Sequence, residues 1–161
     1  RLAEMAGSEP WSIWDRSFGQ TPWEAFEEAA VGWVRHLGFP DALRTRSTGD
    51  GGLDVVAWDA VAQVKMMSVP VQRPDVQRLR GAAYNQRNVI FFSLSGFSTG
   101  AIEFADQSGV ALFDVVKGLP HAINDHARAL EQAQVDRTIT EQASLAAERQ
   151  AEEARRAAAA G

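Results

Sequence analysis

Leu53-Asp54-Val55-Val56-Ala57-Trp58-Asp59-Ala60-Val61-Ala62-Gln63-Val64-Lys65-Met66 is the stretch whose reading decides the fold. Two β-rich runs, Leu53 to Trp58 and Val61 to Met66, are separated by Asp59-Ala60 alone, which predicts an antiparallel hairpin. Side chains alternate across a strand, so Gln63 and Lys65 share a face, while Asp54 stands near the start of the facing strand. An acid, an amide and a lysine drawn together at strand ends do not make an ordinary core. They are the groups a divalent-metal phosphodiesterase needs. Oxygen ligands hold Mg²⁺, the ion polarises a phosphoryl oxygen and acidifies water, and the lysine neutralises charge in the transition state. Gln63 offers only a neutral oxygen, so a further carboxylate is expected. Glu27 on the preceding helix is the candidate, ahead of Glu24 and Glu28.

Upstream, Thr21 to Leu37 has helical spacing, with Thr21 as N-cap, Pro22 in the first turn, Glu24 closing a capping box, and Phe26, Ala30, Val34 and Leu37 in one stripe. A short strand is expected at Leu43 to Arg46, followed by the glycine-rich loop Ser47 to Gly52. Downstream, Pro70 to Pro74 breaks the pattern and Asp75 to Arg87 is helical, burying Val76, Leu79 and Ala83. A strand at Asn88 to Ser95, a turn at Gly96 to Gly100, a helix at Ala101 to Gln107 and a strand at Val110 to Val116 complete the series. An early hairpin followed by strand-helix-strand alternation predicts an α/β domain built on one mixed sheet flanked by helices. The expected organisation is an N-terminal arm (1–20) whose Trp11, Trp14 and Phe18 dock on the core, a domain (21–120), and an alanine-rich charged helical tail (121–161). In that tail Leu130, Val135, Ile139 and Leu145 are too sparse for a heptad seam.

The chain has 161 residues, 45% of them hydrophobic, enough for one domain with a real core. It contains no cysteine, which excludes disulfides, thiolate zinc sites and cysteine nucleophiles, and makes a reducing cytoplasm the expected compartment. Its apolar runs fall far short of the roughly 20 residues of a membrane span. Because the sequence opens on Arg1 and closes in an alanine-rich helical pattern, an additional domain beyond the chain ends is an expectation.

The net charge of −5 argues against a protein that coats nucleic acid indiscriminately. Its distribution changes that reading. Residues 44 to 90 carry seven cations against four carboxylates, the one basic segment of the chain. Arg44, Arg46, Arg73, Arg78, Arg80 and Arg87 surround Lys65 in sequence, so an acidic protein can still present a basic cleft.

Competing motifs are weaker. Gly96-Phe97-Ser98-Thr99-Gly100 has the form G-x-S-x-G, with Asp114 and His121 in triad order, but too little chain follows Ser98 for an α/β-hydrolase. Ser98 reads more simply as a helix N-cap. A calcium loop starting at Asp50 would need an acid at Val61, and the glycine loop lacks the Lys-Ser/Thr of a nucleotide-binding loop. His36, His121 and His126 form no ligand pattern. Trp23, Trp33 and Trp58 are read as packing residues rather than base-stacking ones. Taken singly, Asp54 could cap the glycine loop and Lys65 could be a surface lysine on an edge strand.

Taken together, Phe26-Glu27, Leu37-Gly38-Phe39, Thr48-Gly49-Asp50-Gly51-Gly52-Leu53-Asp54, Gln63-Val64-Lys65, Val71-Gln72-Arg73-Pro74-Asp75-Val76, Arg80-Gly81-Ala82 and Ser95-Gly96-Phe97-Ser98 resemble, in order and spacing, the catalytic domain of the Mrr restriction-endonuclease family, within the PD-(D/E)XK nucleases. The resemblance spans about residues 23 to 119. It implies a restriction-endonuclease-like three-layer αβα domain and a Mg²⁺-dependent DNA endonuclease, with Mn²⁺ able to substitute. Asp54 would be the metal-binding acid and Gln63 would stand at the second ligand position, an exchange the Mrr variant shares. The Val64 carbonyl would complete the metal shell, Lys65 would be the catalytic lysine, and Glu27 would match the helix glutamate beside the metal. Double-stranded DNA is the implied partner, restriction of foreign or modified DNA the implied role, and a homodimer the expected means of cutting both strands. The resemblance covers the catalytic domain and does not extend to the family's separate N-terminal DNA-recognition domain. A non-catalytic DNA-binding module on the same fold is the alternative function.

Overall fold

In a computed structural model, the described residues are 22–45 and 52–161. The Thr21 cap, the aromatic arm, Arg46 and most of the glycine loop lie outside them.

The predicted hairpin is the organising element. Strand β2 (Val55–Val56) runs antiparallel to β3 (Ala60–Lys65), with Val55 opposite Ala62 and Val56 opposite Val61. The loop falls on Trp58-Asp59, closed by the Ala57 N–H donating to the Ala60 carbonyl at 2.8 Å, one residue earlier than the sequence suggests. That shift corrects the reading of Trp58. At the corner of the turn it is 91% exposed, with its N–H fixed by Asp41 Oδ2 at 2.7 Å. Trp23 is also exposed, and only Trp33 of these three is buried.

Strand β1 (Leu43–Arg44) pairs antiparallel with β2, while β4 (Asn88–Ser93) and β5 (Val110–Val116) extend the sheet from β3 in parallel. Helices α2 (Arg73–Ala82) and α3 (Thr99–Ser108) cross over between the parallel strands. Both lie on one face: Val76, Leu79, Ala101 and Ala105 form a buried cluster with Val61, Val89, Phe91, Val110 and Leu112. On the other face, α1 (Pro22–His36) packs Phe26, Ala30 and Val34 against Ala62, Val64, Ile90 and Phe113. Trp33 meets Phe26 and Phe92 there, with ring centroids 5.8 and 5.1 Å apart. The result is the three-layer α/β architecture, a six-stranded mixed sheet in the order β1-β2-β3-β4-β5-β6, with β6 at Leu119–Ala122, between two helical layers.

Two boundaries differ most from expectation. Helix α2 starts at Arg73, with Pro74 in its first turn, and stops at Ala82 rather than Arg87. No apolar face continues past Ala83, and the Arg80 guanidinium closes the turn by donating to the carbonyls of Ala83 and Gln86. Second, the strands do not end at Val116. Lys117 and Gly118, with φ of 56° and 77°, make a two-residue turn into β6 (Leu119–Ala122), which pairs antiparallel with β5. Pro120 is tolerated because β6 is an edge strand.

Helix α4 (Asp125–Ala160) follows. Its N-cap Asn124 is 2% exposed and fully bonded, accepting from Leu112 N and Ala127 N and donating to Val110 O and Asp106 Oδ1. Ala127 and Leu130 pack on the α1 face, and Arg137 donates to the Leu37 carbonyl at 2.8 Å. Beyond that, Ile139 and Leu145 are exposed. Among the described residues no helix is long and apolar enough to cross a membrane.

Candidate nuclease site

Asp54 immediately precedes β2, whose first residue Val55 pairs with Ala62, and so lies beside β3. The Asp54 backbone holds that position by donating its N–H to Ala62 O at 2.9 Å and accepting the Thr45 N–H at 2.9 Å. Its side chain turns along the strand, and Oδ2 accepts the Val64 N–H at 2.8 Å. The carboxylate therefore does the work of a ladder carbonyl where the ladder itself stops. Gln63 and Lys65 are half-buried on the same sheet face as Val61, whereas Ala62 and Val64 bury their side chains in the opposite cluster. Alternation thus puts Gln63 and Lys65 on one face and leaves Val64 only its main chain to offer.

The Gln63 amide has a defined seat. Gly52, at φ +87°, lies so close that a Cβ there would meet Gln63 Nε2 at 2.6 Å and Cδ at 2.9 Å. The last glycine of the loop is thus needed twice, for a left-handed conformation and for room beside the amide.

Lys65 is not solitary. Its Nζ lies 2.8 Å from Asp75 Oδ1, with the two side chains 22% and 14% exposed. Asp75, in the first turn of α2, also accepts the Gln72 N–H through Oδ2 at 3.1 Å and pairs with Arg78. Burial pushes its carboxyl upward, but hydrogen bonds from Lys65 and the Gln72 N–H, with the charges of Lys65 and Arg78, outweigh this and hold it below the ordinary carboxylate value. Sequence reading placed Asp75 only at a helix start and missed this partnership. The available signal was an acid in the first turn after a proline break, which ordinarily means no more than a cap.

At the same sheet end, Lys65 is the register partner of Ser93, and Ser93 of Asp114. Lys65 O accepts the Leu94 N–H at 3.2 Å, and the Ser95 hydroxyl bonds to Met67 O. The N-terminal turns of α2 and α3 adjoin, linked by Val71 N to Gly96 O and Ser98 N to Val71 O, both 2.9 Å. Ser98 is the N-cap of α3, its hydroxyl accepting the Ala101 N–H at 3.1 Å, with no hydrogen bond to a histidine among the described residues. This is the capping role, and the triad reading gains no support.

Glu27 is half-buried on α1, the helix that packs on the face opposite Gln63 and Lys65, and it makes no hydrogen bond or ion pair with the described residues. Its neighbour Glu28 sits 3.5 Å from Arg44. The contacts thus join Asp54 to β3 and Lys65 to Asp75, and do not tie Glu27 to either.

Could these residues accept the expected Mg²⁺? Among the described residues no group of three or more His, Cys, Asp or Glu forms a metal cage. The donor set on offer is one carboxylate, an amide oxygen and a main-chain carbonyl. Mg²⁺ commonly takes one or two carboxylates and completes its shell with water and substrate phosphate, so the set fits an ion shared with a phosphodiester.

No curated protein and no solved structure shows significant similarity to the chain. The sequence profile of the restriction endonuclease family Mrr_cat matches residues 19–117, a span that takes in the sheet through β5 and every strand residue of the site. The chain therefore belongs to the Mrr-like restriction endonuclease family, and its αβα core is that family's catalytic domain.

Proposed function

We propose that the protein is a Mg²⁺-dependent endonuclease that hydrolyses phosphodiester bonds of double-stranded DNA, with restriction of foreign or modified DNA as its role. One observation carries this reading: the Asp54 carboxylate accepts the Val64 N–H, which lies between Gln63 and Lys65 on β3, and those two side chains share one face. Asp54, the Gln63 amide oxygen and the Val64 carbonyl would hold the ion, with water and the substrate phosphate completing its shell. When bound, the ion supplies Lewis acidity at the phosphoryl oxygen and lowers the pKa of water.

The chain's own groups do the rest. Lys65 presents an ammonium to a non-bridging oxygen of the scissile phosphate, and stabilises the charge that builds as water adds to phosphorus and the leaving oxygen departs. Gly52 keeps the Gln63 amide in place, and the Val64 N–H holds the Asp54 carboxylate beside β3. The seven cations between residues 44 and 90 supply attraction for the DNA backbone that the net charge of −5 conceals.

The test is nicking of supercoiled plasmid, methylated and unmethylated, with Mg²⁺, with Mn²⁺ and with EDTA. Cleavage that needs the ion is expected. Salt-dependent DNA binding without cleavage on either plasmid would replace the nuclease by a binding module on the same fold.

A further inference from the structure

The sequence has fourteen arginines but only two lysines, Lys65 and Lys117. Lys117 is exposed in the β5–β6 turn, so Lys65 is the one lysine set into the body of the fold. A lysine ammonium on a four-carbon stem is a mobile point charge. Something must fix it if it is to meet one phosphate oxygen.

Asp75 is equipped to do so. Its carboxylate is itself immobilised: Oδ2 accepts the Gln72 N–H at the start of α2, and Oδ1 takes both Lys65 Nζ at 2.8 Å and Arg78. Helix α2 is anchored in turn by Val76 and Leu79, both fully buried under the sheet. The chain of support runs from the core through the helix cap to the ammonium. An ammonium has three N–H donors, so a bond to Asp75 leaves two for a phosphate.

We propose that Asp75 is the positioning residue of Lys65, holding its ammonium at the end of β3 while a DNA phosphate takes the remaining donors. The proposal rests on the nuclease reading and adds to it a residue outside the Asp54, Gln63, Val64, Lys65 and Glu27 set. Asp75 touches neither ion nor DNA in this scheme and acts only through Lys65.

The experiment compares the full chain with Asp75→Asn and Asp75→Glu in steady-state plasmid cleavage with Mg²⁺, alongside ¹⁵N NMR of the lysine ammonium groups. Asparagine can still accept the Gln72 N–H, so the cap persists while the charge is lost. The expected result is a fall in kcat of up to about a hundredfold, the scale of a misplaced catalytic group, with KM for DNA unchanged or lower because an acid has left the cleft. Glutamate, the usual acid at this capping-box position, should recover most of kcat. The Lys65 ammonium signal, assigned against Lys117→Arg, should be protected from exchange in wild type and lose that protection in Asp75→Asn. A wild type that cleaves while Asp75→Asn keeps its kcat, or a Lys65 signal indifferent to the substitution, overturns the positioning role alone. A wild type that never cleaves overturns the nuclease reading, and the positioning role falls with it.

Discussion

Replacing Gly52 with alanine separates the glycine's backbone duty from its duty to the site. Gly52 has φ +87°, and a Cβ there would lie 2.6 Å from Gln63 Nε2. Gly109, the C-cap of α3, has φ +77° and no atom within 4 Å of its virtual Cβ. Left-handed backbone costs a non-glycine residue about 1–2 kcal/mol, so both alanine variants should lose that amount of stability. For a chain of this size the loss corresponds to about 2–8 °C in Tm. The close contact in Gly52→Ala is with the far end of a flexible side chain, so it is relieved by swinging the amide away at little further cost. That movement removes the Gln63 oxygen from the site. Denaturant unfolding and single-turnover plasmid cleavage should therefore diverge: similar ΔΔG for the two variants, but at least about a tenfold loss of cleavage rate only in Gly52→Ala. Equal cleavage by both variants would show that the seat of Gln63 does not matter to the reaction.

Three further outcomes follow from the packing and the charges. Asn124→Ala orphans the buried N–H of Leu112 and the carbonyl of Val110 and removes the cap of α4, and should cost about 3 kcal/mol in urea unfolding. Trp33→Ala should cost about 3–5 kcal/mol, while Trp58→Ala, at an exposed turn, should change stability by no more than about 0.5 kcal/mol in the same assay. Asp75 has a folded pKa below its unfolded value, so its ionic contribution is present above the ordinary carboxylate pKa of about 3.9 and is lost as pH falls through the folded value. The stability difference between wild type and Asp75→Asn, read from melts between pH 7 and pH 2, should accordingly shrink below about pH 4.

The parts of the fold legible in the sequence were those with strong local periodicity. The β2–β3 hairpin, the two crossover helices and the stripe of α1 bury the residues their spacing predicts, because one face of each element is continuously apolar. Strand β6 was hidden because Leu119-Pro120-His121-Ala122 has no alternation and contains a proline, both permitted only at a sheet edge, and because its turn is Lys-Gly rather than the telling Asn-Gly or Asp-Gly. Trp58 was misread because its type favours burial, and a shift of one residue in the hairpin loop put it on the corner. At the site, Gln63 and Lys65 could be placed on one face from the period of two alone, with Asp54 near them at the start of the facing strand. The Asp75–Lys65 contact could not, since it spans a proline-broken loop and depends on where α2 docks. Glu27 was assigned from the resemblance and from the need for a second acid, and neither of those determines where its helix presents it.

The central claim is that Lys65 serves phosphodiester hydrolysis on the face shared with Gln63, beside Asp54. Single-turnover cleavage of plasmid DNA with Mg²⁺ by wild type and by folded Lys65→Ala tests it most directly. A loss of at least about a hundredfold in rate, with DNA binding retained, is the expected result. Equal rates for the two proteins would contradict it and move the site elsewhere in the chain.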